Sequence, residues 1–179
     1  GMPCYDSVKR ETVMSLLKLF DQFRQSGIKA QFRTINSSLV THGRNMVTCG
    51  FLHSNYDYLL FIDADVSFEP EAVLRMLVTK KDVICTPYRL KLADMTVKYP
   101  VILKNAKKTD IEELGMVNIV EIKGGPAGLM LIHRKVFEKL MKKHSDYKIN
   151  IPAPKLKEMN DEVMGVPTTE DPITQYLYN

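Results

Sequence analysis

The stretch "YLLFIDADVSF", Tyr58 to Phe68, runs an apolar strand straight into two aspartates one residue apart, Asp63 and Asp65. In extended chain, residues i and i+2 face the same way, so the two carboxylates would stand ~6 Å apart. At an effective dielectric of about 20, that separation costs roughly 3 kcal/mol of repulsion. A domain with only ~5–15 kcal/mol of net stability cannot ignore such a term. A cation, a shared proton or an arginine must offset it. A hard divalent ion, Mg²⁺ or Mn²⁺, combines one or two carboxylates with substrate phosphates and stabilises a diphosphate leaving group. The alternative without chemistry is that one aspartate caps a turn while the other pairs with an arginine.

The surrounding pattern indicates which elements hold the pair. "SVKRETVMSLLKLFDQFRQSG" has a helical period, with Val13, Leu16, Leu17, Phe20 and Phe23 as its expected apolar face. Asp6 or Ser7 is its expected cap, and Gly27 its stop. "IKAQFRTI" alternates as a strand does. "LVTHGRNMVTCGFLHS" predicts a second helix with Val40, Val47 and Phe51 on one face. "YLLFI" reads as a central strand of a parallel sheet covered on both sides. "EPEAVLRMLVTK" predicts a third helix with Pro70 in its first turn. "DVICTPY", "VNIVEI" and "AGLMLI" predict strands, and "RKVFEKLMKKH" predicts a helix. The proline-rich segment from Asn150 to Asp171 reads as a loop.

Strands alternating with helices argue for an α/β layered fold with a mostly parallel sheet. In such sheets ligands bind beyond the carboxyl ends of the strands. Three groups fall at such ends: Pro3 to Asp6, Asp63 to Asp65, and Thr86 to Arg89. Tyr88, Arg89 and Lys91 could meet a sugar or a phosphate, or form a solvated loop. His133, after an apolar strand, reads as a structural histidine.

Composition narrows the class. The chain has 179 residues, 45% hydrophobic and 26% charged, which suits one folded domain over residues 1–179. A net charge of +4 suits an anionic ligand but is too small to argue for nucleic acid. Three scattered cysteines, Cys4, Cys49 and Cys85, argue against a disulfide scaffold or structural zinc and for a reducing compartment. No apolar run is long enough to span a membrane, and the expected location is cytoplasmic.

"PCYDS", "GRN" and "LLFIDADVSFEPEAVLRML" together resemble a GT-A nucleotide-sugar glycosyltransferase, most closely the glycosyltransferase domains of large algal (chlorella) viruses. The resemblance extends over about Pro3 to Leu140. It implies a GT-A (Rossmann-like) fold, a viral protein acting in host cytoplasm, a UDP-sugar donor and a glycan or glycoprotein acceptor. It also implies Mn²⁺ or Mg²⁺ as cofactor. Pro3, Cys4, Tyr5 and Asp6 would hold uracil and ribose. Arg44 would approach the nucleotide side and Asp63. Asp63 would face ribose or metal, with Ala64 between the carboxylates and Asp65 as direct metal ligand. Gly124 and Gly125 of "GGPA" would lie beside the donor sugar, or simply form a hairpin turn.

An inverting transferase needs a carboxylate base. Glu170 or Asp171 could serve, although Asp171 before Pro172 also reads as a helix cap. The family continues beyond this point, so the C-terminal end is expected to be truncated. Three other classes compete: a haloacid-dehalogenase-type phosphatase with Asp63 as nucleophile, a receiver-like signalling domain, and a nucleotide-sugar binder without catalysis. The phosphatase strand normally comes first in its domain, and a receiver needs an acidic pair after its first strand.

Overall fold

The computed structural model describes residues 1–88, 99–104, 119–145, 148–150 and 174–176. Glu170, Asp171, Arg89, Lys91 and most of the segment from 150 to 171 lie outside the described residues. The elements in chain order are β1 (Met2–Cys4), α1 (Arg10–Gln25), β2 (Thr34–Asn36), α2 (Val40–Leu52), β3 (Tyr58–Ile62), α3 (Pro70–Thr79) and β4 (Val83–Cys85). There follow β5 (Ile102–Leu103), β6 (Ile122–Gly124), β7 (Leu129–His133), α4 (Arg134–Lys143), β8 (Lys148–Asn150) and β9 (Thr174–Tyr176).

The fold is mixed α/β, but its sheet is not mostly parallel. β1 and β2 pair in parallel. β7 inserts between β3 and β4 and runs antiparallel to both. The backbone of Gly1 joins the two ladders, because its amine donates to Leu60 O at 2.7 Å and its carbonyl accepts from Ile62 N at 3.1 Å. The spatial order is therefore β2-β1-β3-β7-β4. β5–β6 and β8–β9 form separate antiparallel pairs. An unbroken apolar strand such as "YLLFI" reports burial on both faces. It carries no information on the direction of its neighbours, which is why the sequence suggested a parallel sheet.

Both faces of β3 are covered, as the apolar run requires. Leu59 and Phe61 pack with Val47 and Phe51 of α2 and Phe137 of α4. Ile62 packs on the opposite side with Leu19 and Phe23 of α1 and Val73 and Met76 of α3. Pro70 stands in the first turn of α3, and Lys80 closes that helix in a left-handed conformation. Gly27 ends the α1 region at φ +67°, a conformation that favours glycine.

The buried face of α1 differs from the expected one. Thr12, Ser15, Leu19 and Phe23 point inward, while Val13 and Leu17 are exposed. The polar positions turn inward because a loop needs their hydroxyls. Thr12 Oγ1 donates to Ala64 O at 3.2 Å, and Lys9 N–H donates to the same carbonyl at 2.9 Å. Ser15 Oγ accepts from Phe68 N–H at 3.0 Å. Lys9, rather than Asp6 or Ser7, occupies the N-cap, and no side chain caps the helix. The helix start expected at Asp171 and Pro172 lies outside the described residues, and Thr174–Tyr176 beyond it is strand.

Ser15 generates a stability prediction. Ser15→Ala leaves the Phe68 amide buried without its acceptor, which costs about 1–3 kcal/mol. Urea unfolding should show the midpoint falling with an unchanged slope. An unchanged midpoint would mean that the Phe68 amide is satisfied without Ser15.

Candidate functional site

Strand parity places the first carboxylate. Leu59 and Phe61 face α2, so Asp63, two residues on, faces α2 as well. On α2, Val47 and Phe51 contact that face of the sheet, and Arg44 sits one turn earlier on the same side. Helix and strand can meet there because Gly43 has no side chain. A Cβ at Gly43 would stand 2.8 Å from Pro3 Cβ, so α2 lies directly on β1. Arg44 Nη2 donates to Asp63 Oδ1 at 2.8 Å, and its guanidinium lies 5.9 Å from the Phe61 ring centre. The pair is mostly shielded, with 27% and 29% of the two side chains exposed.

Arg44 thus supplies the counter-charge for Asp63. It engages Asp63, and it leaves Asp65 exposed on the loop beyond β3. The Ala64 peptide between them is held from behind by α1 through Lys9 and Thr12. The two aspartates therefore differ in environment although they are identical in type.

Gly128 and Tyr88 complete the cluster. Asp63 N–H donates to Gly128 O at 2.9 Å, continuing the β3–β7 ladder past its last pair. A Cβ at Gly128 would stand 2.8 Å from Asp63 Oδ2 and 2.8 and 2.9 Å from Tyr88 Cε1 and its hydroxyl oxygen. Only glycine leaves room for both groups. Burial pushes the Tyr88 phenol above its ordinary value, and the Asp63 and Asp65 charges add to that. Arg44 and a hydrogen bond from the Gly128 backbone oppose it.

The β1–α1 loop lies against this cluster, as the Lys9–Ala64 hydrogen bond shows. Pro3 is buried beneath α2, Cys4 is half-buried, and Tyr5 and Asp6 are exposed, Tyr5 by 71%. Gly124 and Gly125 hold other positions. Gly124 faces Ile102, and a Cβ at Gly125 would collide with Cys85 Sγ. Neither has a positive φ. It is Gly128 that meets Asp63. The sequence hid this role because nothing local reveals that β7 pairs beside β3. His133 is structural as expected: its Nδ1 accepts from Lys135 N–H at 3.1 Å, capping α4.

Among the described residues, no three His, Cys, Asp or Glu side chains converge as a metal cage. At the end of β3 the carboxylate donors are Asp65 and the second oxygen of Asp63. Such a set suits a hard ion that completes its shell with phosphate oxygens and water, and it does not suit structural zinc.

No family model matches the chain, and no curated protein matches it. Among solved structures, the crystal structure of A197 from STIV is similar, with 23% identity and a TM-score of 0.49 over 85% of this chain and 68% of that chain. Among the described residues, no helix is long and apolar enough to cross a membrane.

The electrostatic origin of the Tyr88 shift can be tested. Asp63→Asn should move the phenol toward its ordinary value but not fully, because burial is the larger cause. Ultraviolet titration of the wild type and of Asp63→Asn, each against its Tyr88→Phe counterpart, isolates this one of eight tyrosines. The sign for stability follows. With the folded phenol held above its unfolded value of about 10, the unfolded chain loses the proton first. Tyr88 therefore lowers stability as pH rises past 10, and Tyr88→Phe should flatten that decline.

Proposed function

We propose that this chain transfers a sugar from a nucleotide diphosphate donor, a UDP-sugar, to a hydroxyl of a glycan acceptor. The observation that carries the reading is the unequal aspartate pair at the end of β3: Asp63 tied to Arg44, Asp65 open to solvent. β1, β3 and β4 point their carboxyl ends the same way, and all three loops that follow bring polar groups there. A mixed sheet with β7 antiparallel between two parallel strands is compatible with the GT-A domain that the sequence resembles.

In this reading each residue has a separate task. Tyr5, exposed at the end of β1, offers a ring face to the uracil. Asp6 accepts from ribose hydroxyls. Arg44 holds Asp63 in one orientation, so that the second Asp63 oxygen stays over Gly128 toward the ribose and the ion. Asp65 is the direct ligand for Mn²⁺ or Mg²⁺. The ion supplies charge neutralisation for the departing diphosphate. Tyr88, kept protonated by burial and its anionic neighbours, donates a hydrogen bond toward the donor phosphate or sugar. Gly128 leaves room for the Asp63 carboxylate and the Tyr88 phenol to stand together at the site. The acceptor-side base is assigned to Glu170 or Asp171.

The Arg44 contact weighs against the phosphatase alternative. A nucleophilic aspartate must present a free oxygen lone pair to phosphorus, and a guanidinium on Oδ1 withdraws charge from it. Asp63 is better suited to orienting a ligand than to attacking one.

Two measurements test the reading. UDP at 100 times its dissociation constant should add ~2.7 kcal/mol of stability with Mn²⁺. The gain should shrink when EDTA replaces the metal. Asp65→Asn should keep the fold, remove the metal-dependent part of that gain, and reduce sugar transfer or UDP-sugar hydrolysis at least ~100-fold. Equal stabilisation by UDP with Mn²⁺ and with EDTA would overturn the metal bridge, and normal turnover in the variant would take Asp65 out of the site.

A further inference from the structure

Positive charge is not spread evenly over this chain. α4 carries Lys135, Lys139, Lys142 and Lys143, all exposed. At about 100° per residue, these four fall within one sector of about 100° around the helix. Phe137, the buried residue of α4, points the opposite way and packs with Leu59 and Phe61. The lysines therefore form a stripe on the outer face, about 12 Å long.

Helix stability does not account for the stripe. Cations three and four residues apart repel one another, and Glu138 is the one carboxylate on α4. The helix dipole favours Lys142 and Lys143 in the last turn, but it disfavours Lys135 in the first.

The cations continue onto the next element. Lys135 Nζ pairs with Asp82 Oδ1, and His133 N–H donates to Asp82 O at 2.8 Å. The turn between α3 and β4 thus lies against the start of α4, and it supplies Lys80 and Lys81, both exposed. The Lys135 hydrogen bond holds the Asp82 carboxyl below its ordinary value, and the charges of Lys139 and His133 add to that. Six lysines against Asp82 and Glu138 leave four positive charges here. The whole chain has a net charge of +4, so the rest of it is balanced.

Apolar groups adjoin the cations. Val83 pairs with Ile132, which packs on the α2–α4 side of the sheet, so Val83 lies on the face that carries α4. It stands on the edge strand of its sheet and is 48% exposed. Val136 and Leu140 are half-buried on the flank of α4 between the stripe and Phe137.

This chemistry discriminates among polyanions. The surface is the convex side of a helix, and its cations are lysines, flexible point charges without the arginine fork. Arg134 of α4 is turned inward, onto the carbonyls of Phe51, Leu52, Ser54 and Tyr56. Nucleic-acid surfaces add arginines for base edges or aromatic rings for stacking. Neither is present on this surface among the described residues. A layer of anionic headgroups needs neither. It is fluid, conforms to a convex face, and accepts a small apolar side chain such as Val83 at its border.

We propose that the lysine surface formed by α4 and the turn before β4 binds the anionic headgroups of a lipid membrane, holding the protein on the bilayer by charge. The inference stands apart from sugar transfer and does not require it.

The test sediments the full chain with vesicles of phosphatidylcholine, alone or with about a third phosphatidylserine. Binding should favour the serine-containing vesicles at least tenfold at about 0.1 M salt and fall away at about 0.5 M, where screening is stronger. The triple change Lys139→Gln, Lys142→Gln and Lys143→Gln should weaken it about 100-fold, since each lysine at such a surface is worth about fivefold. The triple change Lys18→Gln, Lys29→Gln and Lys123→Gln removes the same charge elsewhere and should weaken it less than about fivefold. All six positions are exposed, so both variants should stay folded. No preference for the anionic vesicles, or equal losses in the two variants, would overturn the proposal. Tighter binding to heparin or to duplex DNA than to the vesicles would assign the surface to a soluble polyanion and overturn the lipid form.

Discussion

Two carboxylates one residue apart at the end of a buried strand need a counter-charge, and the geometry around Asp63 follows from supplying it. Arg44 can reach Asp63 only if α2 lies directly on β1. That requires Gly43 against Pro3, where a Cβ would stand only 2.8 Å away. It also requires Val47 and Phe51 to fix the rotation of α2 through their packing on Leu59 and Phe61. The ion pair itself contributes on the order of 1 kcal/mol, since it is partly solvated. Its importance is geometric: it gives Asp63 a fixed orientation, while Asp65 stands exposed two residues on.

The loop bearing Asp65 is fixed from the opposite face. α1 spends its buried positions 12 and 15 on Thr and Ser, where a core helix would ordinarily carry apolar side chains. Those hydroxyls, with the Lys9 amide, hold the Ala64 carbonyl and the Phe68 amide. Val66 and Phe68 then bury their side chains in the α1–α3 core. The loop between β3 and α3 is therefore anchored at alternate residues, and Asp65 projects from an immobilised backbone. Such pre-organisation suits a residue whose ligand must meet it at a defined distance.

Much of this was legible in the sequence, and the gaps have physical causes. The strand Tyr58–Ile62, the helices around Arg44 and Pro70 and the stop at Gly27 are local patterns, and each formed where periodicity or backbone restriction placed it. The inward face of α1 was misread because hydrophobicity ranked Val13 and Leu17 above Thr12 and Ser15. Hydrogen-bond demand from a loop some fifty residues away decided the matter instead. The role of Gly128 was hidden for the same reason: it follows from a non-local antiparallel pairing that no local signal encodes. Gly124 and Gly125 were weighed on resemblance; in the structure Gly124 faces Ile102 and Gly125 lies close to Cys85, contacts that the sequence does not encode locally.

The two ends of the sheet differ in character, and that difference bears on what can bind where. Around the carboxyl ends the groups are charged or phenolic, and the apolar cavity of about 730 Å³ is elsewhere. A ligand there gains little from enclosure and must gain from charge and orientation, which suits a diphosphate met by a cation and by donors at its rim. That cavity lies at the amino ends of β2 and β3. The same strand, β1, connects the two ends: Gly1 before it lines the apolar cavity, and its carboxyl end opens into the exposed Tyr5 and Asp6.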